Sequence, residues 1–446
     1  MKKAKVGLVG VTCQFESGGQ RADELLRAAK AAIEAKSVEV ALAPKVVWDS
    51  ADAVDVADAL KKEQIDALVI MDITWVLDSM KYVLVHELDV PVVFWGVPYT
   101  ETFSIGCIQH FGSVLKAHGH EYEYVYGLPE DPQVVDHVAE VALAGRVIHA
   151  VSGMRLALAG PRQTWRVAGP QDMTNEEWEF SEKFGLTILH VEMSEIIGLA
   201  DAISDEKADE TLEELAPRTG KTLADKETMR HMAKVYLAVK QVKKRYSLDA
   251  MAAECYPDFS GLMNLPSSWL ADEGFIVDTE GDIGHTAIMY MLNTAAGGGA
   301  CALGEIGSID AERNIFALAH EGSTAHSLAE DIDHVQISPS GDRGAFVGLP
   351  LRPMQDTTVM SIVGSRGKYQ VLLQKGDVCQ ATHQEWVDGG EKLLALLHVE
   401  PKVYDFLNTV MAHGLDHHMV IKEGNYRKVM TLVIKYMHLA QLTVEA

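Results

Sequence analysis

The chain has 446 residues, 48% of them hydrophobic and 23% charged, and a formal net charge of −25. This balance supports a large buried core and, at roughly 100–200 residues per domain, two to four domains. So acidic a surface disfavours non-specific binding to nucleic acid or to anionic lipid, and neither is expected as a partner.

The apolar run after Lys2 and Lys3 passes quickly into polar Gln14 and Glu16, which is not the pattern of a secretory leader. No uncharged stretch reaches the ~18 residues of a membrane span. Cys13, Cys107, Cys255, Cys301 and Cys379 are scattered and form no CxxC pair. Neither a disulfide frame nor a thiolate zinc site is expected, and a cytoplasmic location fits.

Strand and helix patterns alternate through the first third. Val6–Val11, Val38–Leu42, Lys45–Trp48, Ala67–Met71 and Val90–Trp95 read as extended, and Ala22–Lys36 and Ala51–Gln64 as helical. Such alternation predicts a parallel sheet covered by helices, with ligands approaching the carboxyl ends of the strands. Gln14, Trp95 and other polar or aromatic residues fall at those ends, although each alone is as compatible with an ordinary loop.

A second α/β block begins near Met154, with strands at Arg155–Ala159 and Leu186–His190 and a helix at Ser194–Ala202. Asp205–Leu248 is charged and predicts several helices with solvated faces. After about Asp331 the pattern changes. Val335–Ser338, Gly344–Pro350, Thr358–Val363 and Tyr369–Lys375 are short β-like runs that predict a small antiparallel barrel or sheet. Helical Pro401–Ala412 and Arg427–Met437 and extended Gln441–Val444 close the chain.

The predicted fold is therefore α/β. Two parallel-sheet, Rossmann- or flavodoxin-like domains, 1–150 and 151–330, precede a smaller antiparallel β-rich domain, 331–446.

Glu254 follows an apolar run, and Glu280 and Asp282 lie in T-E-G-D just after strand-like Phe275–Val277. Gly281 lets the backbone turn there, so a carboxylate can face a cleft; a solvated turn is the bland alternative. His320 ends an apolar run, and His417–His418 enter another. Two carboxylates with two imidazoles suit a divalent ion such as Mn²⁺, Co²⁺ or Mg²⁺. Spacing alone does not bring these residues together: the chain has 18 histidines and no local motif such as HExxH.

In their order and spacing, four segments resemble the L-fucose/L-arabinose isomerase superfamily. Glu254–Cys255–Tyr256 is followed by a Pro/Ser-rich middle and a Gly-Phe strand running into Glu280–Gly281–Asp282, with helical Ala287–Leu292 beyond. Ala319–Gly322 is similar to the family's H-C-G step, with Glu321 where many relatives have cysteine. H-G-L-D-H-H-M-V resembles the C-terminal G-x-H-H segment. Gly106–Gln109 and Gly119–Gly127 resemble the close of the first domain.

The resemblance implies Glu254, Glu280, His320 and His418 as metal ligands, with Asp282 a rival to Glu280 because the two branches of the family use different residues of E-G-D. It implies His417 as a substrate-binding or supporting residue. Its expected chemistry is aldose–ketose isomerisation of a monosaccharide through a cis-enediolate, with a divalent metal, Mn²⁺ first, and with Glu254 and Glu280 moving protons. It also implies a homo-oligomer, a trimer or hexamer with shared active sites, in which Gln14, Trp95 and His110 touch substrate.

A metal-dependent sugar epimerase or a lyase/aldolase on the same site is the alternative, and a non-catalytic sugar-binding protein the second. An acidic substrate, such as a sulfonated hexose, would need a cation near the metal; Arg162, Arg343 and Lys375 are candidates. The sugar is left open among fucose, arabinose, deoxy, branched and sulfonated forms.

Overall fold

The computed structural model describes residues 2–161, 175–254, 258–320, 322–341 and 343–444. The chain divides into two compact units, residues 1–149 with 428–438, and residues 150–427 with 439–446.

The first unit is built on five parallel strands: β1 (Lys5–Val11), β2 (Glu39–Leu42), β3 (Ala67–Asp72), β4 (Val92–Gly96) and β5 (Glu123–Tyr126). Their order is β2-β1-β3-β4-β5, the flavodoxin-like arrangement, with its switch point between β1 and β3. β3 and β4 are buried along their whole length because helices cover both faces, which is why these strands read as unbroken apolar runs. Gly7 and Gly10 admit that cover closely. A Cβ on either would stand 2.8 Å from Ile65 Cδ1 or Leu26 Cδ1. The helix Ala22–Ala35 buries Leu25, Leu26, Ala29 and Ile33, one stripe at helical spacing. Asp49 caps the next helix, Ser50–Lys61, by accepting from Asp52 N. The expected strand Lys45–Trp48 contributes only a single bridge, Val11↔Val47.

The second unit opens on β6 (Arg155–Ala159), β7 (Thr187–Val191), the two-residue β8 (Lys221–Thr222), β9 (Ala250–Ala253) and β10 (Ile276–Asp278). Four of these form a parallel sheet in the order β10-β9-β6-β7. The charged stretch after Asp205 resolves into helices Asp205–Leu215 and Lys226–Tyr246, separated around Pro217 and Gly220.

Nine further strands follow: β11 (Ala302–Asp310), β12 (Ile315–Ala319), β13 (Gln336–Ser340), β14 (Gly344–Gly348), β15 (Met354–Ser365), β16 (Lys368–Cys379), β17 (Leu393–Val399), β18 (His418–Lys422) and β19 (Ala440–Leu442). The pairings β15–β18, β18–β11, β11–β12, β12–β17, β17–β16 and β16–β15 are all antiparallel and return on themselves. Six strands thus close a barrel, which removes its free edges. β15 and β16 turn through Arg366 and Gly367, both at positive φ, as a two-residue I′ hairpin requires.

Val359, Leu372, Leu397, Phe316 and Met419 from the barrel share one core with Met251, Val277 and the helix residues Met232 and Trp269. The two parallel-sheet regions and the antiparallel β-rich region agree with the predicted fold class. The barrel also draws on β11 and β12, which lie earlier in the chain than the β-like runs seen in the sequence.

Candidate metal centre

β9 and β10 are parallel neighbours, so the residues after them emerge side by side. Glu254 follows β9, Glu280 lies two residues beyond β10, and the two form an isolated antiparallel bridge. Both side chains are buried.

The T-E-G-D turn is held from beneath. Asp278 Oδ2 accepts the backbone N–H of Glu280 at 3.1 Å and of Asp282 at 2.6 Å. Burial, and then the charge of Asp282, push the Asp278 carboxyl up to about 7. Gly281, at φ 74°, supplies the left-handed step. Asp282 is the N-cap of the helix Ile283–Ala295 and accepts from His285 N at 2.8 Å.

His418 begins β18 and stands opposite Glu305 of β11. Its Nδ1 lies 2.8 Å from Asp282 Oδ2, and its Nε2 is 3.3 Å from Glu280 Oε2. A carboxylate on one ring nitrogen orients the imidazole and presents the other. His285 Nδ1 meets the same Asp282 oxygen at 2.6 Å, and its Nε2 is 2.9 Å from Ser361 Oγ. Asp282 is thus occupied in orienting two imidazoles, while Glu280 faces the histidine cluster.

His320, just after β12, brings Nε2 to 3.8 Å from Glu280 Oε1, and His417 Nε2 is 3.7 Å from Oε2. Glu280, Glu305, His417 and His418 each offer a ligand atom within 4.8 Å of the others.

The electrostatics suit a cation. Burial opposes the charge of Glu280, but His417 and His418 outweigh it and hold the carboxyl far below the usual range. Burial also opposes the His418 charge, yet Asp282 and Glu280 raise that imidazole well above its ordinary value. Burial pushes His320 down to about 4, so it is neutral at pH 7, the form that binds metals. Both ring nitrogens of His320 and Nε2 of His418 are buried and find no hydrogen-bond partner among the described residues. Buried polar atoms normally have partners, so these nitrogens fit a ligand that completes them. The group can hold a divalent cation.

The structure therefore brings Glu254, Glu280, His320, His417 and His418 together, with Asp282 behind His418. Gln14, Trp95 and His110 belong to the first unit. Gln14 is exposed. His110 is paired with Asp78 at 3.1 Å and stacked on Trp75. Trp95 is fully buried in β4 with its indole N–H donated to Gly127 O at 2.9 Å, which makes it a core residue. Lys375 pairs with Glu400 at 2.7 Å, and Arg343 lines a different, polar cavity with His231 and Lys234. Arg162, Cys255, Tyr256 and Glu321 lie outside the described residues. Glu305 is the member that sequence reasoning missed. Its signal was one acid interrupting the apolar run C-A-L-G-E-I.

No protein-family model matches the chain. A sulfoquinovose isomerase of Alkalicoccus urumqiensis is 21% identical over 396 residues, 85% of this chain and 86% of the relative. One from Priestia aryabhattai is 23% identical over 72% of this chain and 73% of its own length. An L-arabinose isomerase of Nocardioides is 25% identical over 43% of this chain and 39% of its own. Among solved structures, a solute-binding protein of Agrobacterium vitis covers 66% of this chain and 90% of its own at 13% identity, with a TM-score of 0.18. These similarities support a place among isomerases of the fucose/arabinose type, and the chain is an enzyme of the isomerase class. Among the described residues, no helix is long and apolar enough to cross a membrane.

Proposed function

We propose that this enzyme is a divalent-metal-dependent aldose–ketose isomerase of a monosaccharide. The observation that carries the reading is the buried Glu280 carboxylate facing His320, His417 and His418, with Glu305 beside it. Relatives named for sulfoquinovose and L-arabinose isomerisation support a sugar substrate.

Glu254, Glu280, His320 and His418 would hold the cation, with Glu305 beside Glu280 as a further donor; the set suits Mn²⁺, with Co²⁺ or Mg²⁺ as substitutes. When bound, such a cation is a Lewis acid toward the vicinal sugar oxygens at C1 and C2. Glu254, buried beside Glu280, takes the proton from C2 of the aldose and returns it to C1. Glu280 serves the hydroxyl proton that must move between the two oxygens. Asp282 keeps the Nε2 of His418 turned to the centre, and Asp278 holds the turn that presents Glu280. The working form is a cytoplasmic homo-oligomer, a trimer or hexamer, in which Gln14 and His110 of a neighbouring subunit reach the substrate.

The test is turnover of a panel of aldoses and ketoses, followed by NMR in D₂O, with EDTA-treated enzyme and after adding Mn²⁺. Metal-dependent conversion of an aldose to its ketose, with deuterium at C1 or C2, is expected. Metal binding with epimerised or cleaved products would replace the isomerase reading, and absence of metal binding would remove it.

A further inference from the structure

A cavity of about 660 Å³ opens directly off the candidate metal centre, because Glu305 and His417 belong to both. The register slip between Ile306 and Ser308 bends β11 at this point, as bulges beside sites do. Beyond its polar end the wall is apolar. Ile306, Leu372 and Met419 come from barrel strands, Leu407 and Val410 from the helix Val403–His413, and Leu415 from the segment leading into β18. Asp416 adds a second carboxylate to the lining, and among the described residues no lysine or arginine lines it. This volume lies in the range that encloses a drug-sized ligand. A charged group taken into such a wall loses its hydration and meets no opposite charge among the described residues beyond the polar end, only the hydroxyls of Ser308 and Ser361.

We propose that this cavity receives the end of the substrate remote from the metal, and selects an uncharged sugar carrying an alkyl substituent over one ending in a sulfonate or another acid. The inference rests on the isomerase reading and adds the class of sugar to it. It also separates this chain from its relatives named for a sulfonated sugar.

Binding is the direct test, because it needs no turnover. Probes are a hexitol, its 6-O-butyl ether and its 6-sulfonate, each in the gluco, manno and galacto configurations, added to full-length protein loaded with diamagnetic Mg²⁺ and carrying ¹³C-methyl-labelled methionine. Met411 and Met419 line the cavity and report occupancy. The butyl ether is expected to shift both methyl signals and to bind at least tenfold more tightly than the parent, since several methylenes leave water. The sulfonate is expected to bind at least tenfold more weakly than the parent. Leu407→Arg should lose the butyl preference and gain on the sulfonate. Met411→Ala removes one of the two reporter signals and so assigns both. A sulfonate that binds as tightly as the ether, or an ether that leaves both methyl signals unmoved, overturns the proposal. If the ether binds as expected but no sugar is isomerised, the isomerase reading fails alone. If sugars are isomerised with the sulfonated one preferred, the cavity reading fails alone.

Discussion

Each parallel sheet places buried acids near the carboxyl end of a strand, and the two units answer them differently. In the first unit, Asp72 at the end of β3 meets Lys81 Nζ at 2.8 Å, and both side chains are fully buried. Burial works against the lysine's charge, but Asp72 more than offsets it and keeps the lysine above its ordinary value. The ammonium also reaches Cys107 O and Sγ and lies over the rings of Phe94 and Phe111. In the second unit, Glu280 and Asp282 are answered by imidazoles. An imidazole can give up its proton and then donate a lone pair to a metal, whereas an ammonium with this partner cannot. Acids near strand ends are therefore a closed structural pair in the first unit and an exchangeable cluster in the second.

The largest effect should come from breaking the exchangeable site at its centre. Glu280→Gln is expected to lower kcat/KM by about 10³-fold, the several kcal/mol that a Lewis-acid metal contributes. The melting temperature of the metal-free protein should change little in comparison. Retention of near-full turnover with metal bound would remove Glu280 from its role. The converse experiment is Lys81→Met, which strands the buried Asp72 carboxylate. A loss of about 3–5 kcal/mol in unfolding free energy is expected, with kcat/KM of the folded fraction unchanged. Adding Asp72→Asn should recover much of that stability. A loss of activity without loss of stability would mean that the first-unit pair is not merely structural.

How far the sequence foretold these two sites depends on locality. β1, β3 and β4 were legible because buried parallel strands between helices are unbroken apolar runs punctuated by polar ends. β17, L-L-A-L-L-H-V, has no alternation to distinguish a strand from a buried helix, and it went unrecognised until the barrel supplied its partners. The E-G-D turn was visible as a local motif with a glycine at positive φ. Its union with His418 was not, since Asp282 and His418 are 136 residues apart and are joined only by sheet closure. For the same reason the choice between Glu280 and Asp282 stayed open in the sequence. The two acids leave different faces of one turn: Asp282 caps the helix and meets His285 and His418, while Glu280 faces His320 and His417. Glu305 was hidden because its neighbour across β18, His418, comes from a distant strand.

A smaller effect should follow from loosening the orientation of His418 while leaving Glu280 alone. Asp282→Asn keeps a cap oxygen for His285 N but removes the charge that holds the imidazole. Partners of this kind affect metal affinity by about 10–100-fold, and that loss is expected here by titration calorimetry with Mn²⁺. Asn at the first-unit Asp72 should leave Mn²⁺ affinity unchanged. Equal losses from both substitutions would erase the distinction between the units.

The smallest effect concerns protons. Asp282 and Glu280 raise the folded-state value of His418, so the stability it contributes is fully present below the unfolded value of an ordinary histidine. That stability is lost as pH rises through the raised folded value. The depressed values of Glu280 and Asp282 set the acid side, where stability falls away only as pH drops through them. Metal binding must displace the His418 proton, so affinity moves the other way. While His418 is protonated in the free protein, the dissociation constant for Mn²⁺ should fall about tenfold for each unit of pH increase. Metal-free protein should accordingly melt earlier as the solution is made alkaline, and metal-loaded protein should gain most there. The check is a pair of melting series with and without Mn²⁺, together with proton release measured calorimetrically in two buffers of different ionisation enthalpy. If no proton is released on metal binding, the imidazole cluster is as closed as the Asp72–Lys81 pair, and the contrast between the two units disappears.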